Sequence, residues 1–295
     1  SVAGLDPKLA YVPEFIKEKC FDKYGETLKG AAKALLEFNK GLIDALYDIV
    51  PAVKPQAAYY EMYGPAGVKT LYKTQEYARS KGMYVITDGK RNDIGTTMEA
   101  YAAAHLGKVQ VGSQTYEPFL GDALTVNGYL GSDGIKPLVA TCRDNDKGIF
   151  VLVKTSNPSS GELQDKKIDG VTIYETMGHM CEEWGKELPG VYGYSGVGAV
   201  VGATYPEQLK YLREKLPTTF FLIPGYGAQG AGAKDIAGAF DKNGLGGIVN
   251  SSRGIMCAYQ KEKCDEHEFA EAARREAIRM RDEIMGIVGK IVINK

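Results

Sequence analysis

Eight short apolar runs recur along the chain, and most are continuous rather than alternating. They are SVAGLD (1–6), IVPAVKPQ (49–56), MYVITDGK (83–90), DALTVNG (122–128), IFVLVKTS (149–156), VGAVVGAT (197–204), TFFLIPGYG (219–227) and GGIVNSSRG (246–254). A strand with one wet face alternates apolar and polar residues. A run that is apolar throughout suits a strand buried on both faces, as in a parallel sheet. Between the runs, apolar residues fall at helical spacing over 26–49, 66–82, 96–107, 172–188, 205–217 and 268–291. Parallel strands need crossover connections, and these segments supply them. Eight strands alternating with helices predict an α/β fold, a (β/α)8 TIM barrel, with residues 1–295 as a single domain. An open, doubly wound sheet is the alternative. Two insertions interrupt the alternation. Residues 7–26 follow the first strand and contain the helix-like PEFIKEKC; the polar NPSSGELQDKKIDGV (157–171) follows the fifth. A polar loop there is an active-site lid or a solvated surface loop.

Charge excludes several function classes. Lys and Arg number 36 against 37 Asp and Glu, a formal net charge of -1. No basic excess marks a nucleic-acid or acidic-membrane partner. No apolar run is long enough for a membrane-spanning helix, and the segment after Ser1 lacks a signal-peptide profile. Five scattered cysteines without a C-x-x-C read as reduced thiols of a cytoplasmic protein. His105, His179 and His267 fall in no metal-ligand spacing.

IPGYGAQGA contains Gly225, Gly227 and Gly230 as G-x-G-x-x-G. A dinucleotide fingerprint belongs after the first strand of its unit, with an acidic residue about 20 positions on. Here the motif follows the seventh strand, and the next strand leads to Arg253. The NAD reading fails on that context. In a (β/α)8 barrel the loops after strands seven and eight commonly bind one phosphate, and Arg253 adds a bidentate donor. The plain alternative is a Gly-rich turn beside a surface Arg.

The third strand ends in TDGKRNDIGTT, so Asp88, Lys90 and Asp93 form D-x-K-x-x-D. Alternation puts Asp88 and Lys90 on one face. Lys54 ends the second strand and Asp6 the first. Flanking carboxylates keep an ammonium protonated, and a positioned ammonium is a general acid suited to protonating carbon. A solvated, salt-bridged turn is the alternative for the spacing alone; the matching charges on strands one and two weigh against it.

Taken in order, GLDP, VKPQAAYYE, TDGKRNDIGTT, DALTVNGYLG, KTSNPSS, VVGATYPE, IPGYGAQGA and NSSRGI span essentially the whole chain. In this set the chain resembles the orotidine 5′-phosphate decarboxylase family, and most closely its longer bacterial subfamily. The resemblance implies a (β/α)8 barrel converting orotidine 5′-phosphate to UMP and CO2, with no metal or organic cofactor. It implies Lys90 as proton donor to C6, Asp88 facing the departing carboxylate, and Lys54 linking this network to the ribose. Asp93 and Thr97 would reach the site of the other subunit in a homodimer. Asp6 would bind a ribose hydroxyl and Ser156 the pyrimidine; Gln229 and Arg253 would hold the phosphate; residues 157–171 would be part of the lid. One departure is Gly128, where the subfamily often carries Pro. Two rivals stand beside this reading: a Mg²⁺-dependent keto-sugar-phosphate decarboxylase or aldolase of the same barrel type, and a nucleotide-binding barrel without chemistry. Trp184 reads as core or interface, and the RREAIRMRDE run as a solvated outer helix face.

Overall fold

Each of the eight apolar runs contains a strand. The computed structural model describes residues 1–227, 230–289 and 291. Its long parallel strands are β1 (Val2–Leu5), β2 (Ala52–Pro55), β3 (Tyr84–Arg91), β4 (Ala123–Val126), β5 (Gly148–Lys154), β6 (Ser195–Val201), β7 (Thr219–Ile223) and β8 (Gly247–Ser251). They form a closed barrel in the order β1-β8-β7-β6-β5-β4-β3-β2. A doubly wound sheet would keep two open edges, so closure rules that alternative out. Every position of β1, β2 and β4 is buried, and apart from Lys54 and Thr125 these strands are apolar.

The chain divides into two compact units. The first comprises residues 1–89, 119–121 and 251–282. In it β1 runs parallel to β2 with Gly4 opposite Lys54. The helix Leu28–Leu46 begins at Thr27, whose Oγ1 accepts the Gly30 N–H. Its buried face carries Leu35, Phe38, Leu42, Ile43 and Leu46 at helical spacing. Asn39 on the same face donates through Nδ2 to Tyr60 Oη (2.9 Å) and Thr74 Oγ1 (3.1 Å). Tyr60, fully buried after β2, packs with Ala57 and Leu71. Arg274 on the last helix grips Asp48 through two bonds of 2.6 and 2.8 Å, so that helix is tied down as well as solvated.

The second unit comprises residues 90–118, 122–250 and 283–295. In it β4 pairs with β5, β5 with β6, β6 with β7 and β7 with β8, all parallel. The β5–β6 ladder slips by one residue at its end: Val200 faces Leu152 but Val201 faces Lys154. A helix at Ser132–Asn145 was not expected from the sequence, because Gly134 and Pro137 interrupt it. Pro137 lacks the N–H that would reach Asp133, yet Ile135, Leu138, Val139 and Cys142 are buried at regular helical spacing. Burial of that stripe outweighs the local penalty. Gly134 is there for close approach: a Cβ would lie 2.9 Å from Asn92 Oδ1 and from the Asp93 carbonyl. Trp184 is buried, with its indole N–H donating to Ser132 Oγ at 3.0 Å. An exposed hairpin, Val109–Val111 with Gln114–Tyr116, is a further addition. Among the described residues no helix is long and apolar enough to cross a membrane. All five cysteines are free thiols, four of them buried.

Candidate active site

Among the buried strand residues, Lys54, Asp88, Thr125 and Lys154 place polar chemistry where a core would supply hydrocarbon. Each has to be satisfied locally, because an unpaired polar group out of water costs several kcal/mol.

Lys54 and Asp88 satisfy each other. The ammonium lies 2.5 Å from Asp88 Oδ2, and both side chains are under a tenth exposed. Burial alone pushes the lysine pKa down. The charges of Asp88 and Asp6, with the hydrogen bond to Asp88, more than reverse that and hold it above the ordinary lysine value. The ammonium is therefore fixed in its charged form. Asp88 is also held through its backbone, since the Ala57 N–H donates to its carbonyl at 3.1 Å. Asp6 Oδ1 is buried without a hydrogen-bond partner among the described residues. A carboxylate oxygen in that condition is suited to accept from a ligand hydroxyl.

Lys90 lies two residues beyond Asp88 on β3 and departs from ordinary strand geometry. Its φ is +47°, in the left-handed region that side chains avoid. The departure is stabilised from β4, where the Thr125 Oγ1 accepts the Lys90 N–H at 3.0 Å. One residue on, the Asn127 N–H donates to the Arg91 carbonyl at 3.1 Å. Backbone strain of this kind concentrates at functional sites and persists only where neighbours over-determine it. The D-x-K-x-x-D spacing marked Lys90 as chemical but gave no sign of its backbone; the lone hydroxyl in the apolar DALTVN was the available signal for Thr125.

Asp93 precedes the helix Gly95–Leu106, and its Oδ1 accepts the Ile94 N–H at 2.8 Å. Thr97 sits in the first turn of that helix and is exposed, as is Ile94, while Met98 turns inward. Ser156 follows β5. Its carbonyl accepts from Thr204 Oγ1 at 3.4 Å, and Gly202 makes the approach possible, because a Cβ there would meet the Ser156 backbone at 3.0 Å.

The glycine motif after β7 has the backbone its sequence demands. Gly225, Gly227 and Gly230 have φ of +99°, +75° and +95°, values an L side chain rarely adopts. Some of its donors are already used: the Gly227 N–H bonds the Ala231 carbonyl, and the Gly232 N–H bonds Asp235 Oδ2 at 2.7 Å. The short helix at Ala233–Ile236 is thus capped by its own carboxylate. Tyr226, buried within the motif, donates to Glu283 Oε2 at 2.5 Å. Gln229 lies outside the described residues. Arg253 is exposed at the first position of the helix Arg253–Met256 that follows β8. Among the described residues no group of three or more His, Cys, Asp or Glu side chains is placed to hold a metal ion.

Comparison with known proteins agrees with this architecture. A family profile described as orotidine 5′-phosphate decarboxylase / HUMPS family matches residues 26–265. An orotidine 5′-phosphate decarboxylase of Rhodopirellula baltica is 45% identical over 287 residues, covering 96% of this chain and 93% of the relative. The solved OMP decarboxylase of Leishmania donovani superposes with a TM-score of 0.74 at 30% identity, covering 97% of this chain and 93% of that one. The UMP synthase of the same organism gives the same TM-score of 0.74 and 30% identity, and this chain spans 53% of its length.

Proposed function

The chain belongs to the orotidine 5′-phosphate decarboxylase / HUMPS family, and on that premise we propose that it decarboxylates orotidine 5′-phosphate to UMP and CO2. The observation that carries this reading is the buried Lys54–Asp88 ion pair on the approach to a strained Lys90. In the proposed reaction the C6–carboxylate bond breaks and its electron pair stays on C6. The Lys90 ammonium stabilises that charge as it develops and then gives its proton to C6; CO2 leaves, and the amine is reprotonated from solvent. Asp88 faces the departing carboxylate. Lys54, held charged by its carboxylate neighbours, pairs with Asp88 and meets the ribose, and Asp6 accepts from a ribose hydroxyl. Ser156 hydrogen-bonds the pyrimidine, and residues 157–171 close over it. Gln229 and Arg253 take the phosphate, whose remote binding energy is then spent on closure and catalysis. The whole chain acts as one barrel domain in this reading, working in the cytoplasm with its thiols reduced.

The family description spans two names, so the profile by itself leaves room for a metal-dependent relative. The 45% identical Rhodopirellula baltica protein carries the decarboxylase name, which favours the first. The deciding test is absorbance loss on adding orotidine 5′-phosphate to the purified protein with EDTA present, with UMP identified as product. We expect full turnover. Activity lost to EDTA and restored by Mg²⁺ would move the assignment to a keto-sugar-phosphate enzyme; UMP binding without turnover would leave a nucleotide-binding barrel.

The same reading includes a homodimer with shared sites. Its support is the position of Asp93 and Thr97 at the start of a helix whose first turn, with Ile94, is exposed. Mixing inactive Lys90→Ala subunits with inactive Asp93→Ala subunits will restore part of the activity, since one of the two hybrid sites is then intact. Subunit exchange without any recovery would show that each chain completes its own site.

A further inference from the structure

Lys154 is the last residue of β5, and its side chain is 0% exposed. It has no part in the chemistry proposed above. A core position that only needed filling would hold Leu or Met, because a buried ammonium is costly unless fully paired. Every partner of this ammonium comes from outside the strand. Asp165 Oδ1 lies 2.7 Å away and Ser160 Oγ 3.2 Å, both in the polar segment after β5. The ring of Tyr205, which precedes the helix Pro206–Lys215, lies 4.4 Å from the nitrogen, and that of Tyr174 lies 5.7 Å away. Aromatic faces supply the remaining stabilisation of a desolvated cation.

Three further observations bear on Lys154 and the segment it holds. The register slip between β5 and β6 falls at Lys154, and slips of this kind re-aim a side chain at a strand end. The segment is folded back on the strand that launches it: the Thr155 N–H donates to Gln164 Oε1 at 2.9 Å, and Gln164 Nε2 returns to Thr155 Oγ1 at 2.7 Å. The Tyr205 hydroxyl lies 3.5 Å from both Ser160 Oγ and the Asn157 carbonyl. Asp165 itself is about half exposed, so the charge pair binds a surface segment to a buried point.

We propose that Lys154 is a positioning residue: its ion pair with Asp165 fixes the 155–165 segment in the shape that presents Ser156 to the substrate's ring. The inference rests on the decarboxylase reading for its consequence, but not for the anchor itself. Sequence pattern pointed to the segment after β5 as a lid, and the family resemblance to Ser156 as a ring contact; the lysine in KTSNPSS went unassigned.

The test uses the full-length protein and two variants, Asp165→Asn and Lys154→Met. Asp165→Asn changes a half-exposed side chain, so the barrel folds even where Lys154→Met does not. Two readouts are taken on each: hydrogen exchange of the Thr155, Gln164 and Tyr174 amides, and UMP affinity with the KM and kcat for orotidine 5′-phosphate. We expect faster exchange confined to those amides. UMP affinity and kcat/KM should fall by about two- to tenfold, the worth of one neutral hydrogen bond. Asp165→Glu, which keeps the charge, will recover most of the loss. Unchanged exchange in Asp165→Asn would overturn the anchor. Faster exchange with unchanged UMP affinity and kinetics would overturn its positioning role. If wild-type protein neither binds UMP nor turns over substrate, the functional reading fails, while the exchange data still decide the anchor.

Discussion

Lys90→Ala will lose decarboxylation by about 10⁴-fold or more, because the substitution removes both a positioned general acid and the charge facing the developing carbanion. The fold will survive, since β3 is held through its backbone: Ala57 bonds the Asp88 carbonyl, and the Lys90 N–H that bonds Thr125 is present whatever the side chain. A companion variant separates chemistry from strain. Lys90→Gly loses the same amine but relieves the left-handed φ of +47°, which costs any residue with a Cβ. Lys90→Gly will therefore be more stable than Lys90→Ala by about 1 kcal/mol, the reverse of the usual order for these residues. In a chain of this size that corresponds to about 2 °C in Tm. Both variants will be equally inactive. Turnover retained in either would remove Lys90 from the chemistry. An alanine variant as stable as the glycine variant would show that the strain belongs to the lysine side chain and not to the backbone.

The barrel was legible because its signal is redundant. Most of the eight runs, VVGAT and FFLIPG among them, exclude an alternating strand, and the parallel reading rests on no single one. The helix at Ser132–Asn145 escaped because its stripe of Ile135, Leu138, Val139 and Cys142 contains Gly134 and Pro137. Local propensity argued against a helix, and tertiary burial overrode it. Asp88 and Lys54 were legible for the opposite reason: charges inside apolar runs are anomalies, and anomalies point to function. By the same logic Lys154 in IFVLVKTS was equally visible. Its partner Asp165, however, lies in a polar loop where one acidic residue looks like any other. The backbone features were not legible at all. Neither the left-handed φ of Lys90 nor the register slip at Lys154 leaves a mark on composition or spacing, since both depend on what the neighbouring strand supplies.

That distinction bears on why the Lys54–Asp88 pair exists. Lys54→Met will destabilise the protein by about 3–5 kcal/mol, because it strands a carboxylate that is almost wholly buried and takes away the ammonium 2.5 Å from it. It will also abolish most activity. Combining it with Asp88→Val replaces the pair by hydrocarbon, and buried pairs replaced in this way are commonly as stable as the original or more so. The double variant will therefore recover much of the lost stability, read as the urea midpoint at unchanged slope, and none of the activity. The raised pKa of Lys54 sets the conditions. Its contribution is fully present below the unfolded lysine value of about 10.4 and is lost as pH rises through the folded value, so the comparison holds at any neutral pH. Stability regained without turnover would mean that the pair is kept for what it does to a substrate. A double variant no more stable than Lys54→Met would instead make the pair part of what holds the barrel together, and the case for Lys54 and Asp88 as chemical residues would then rest on kinetics alone.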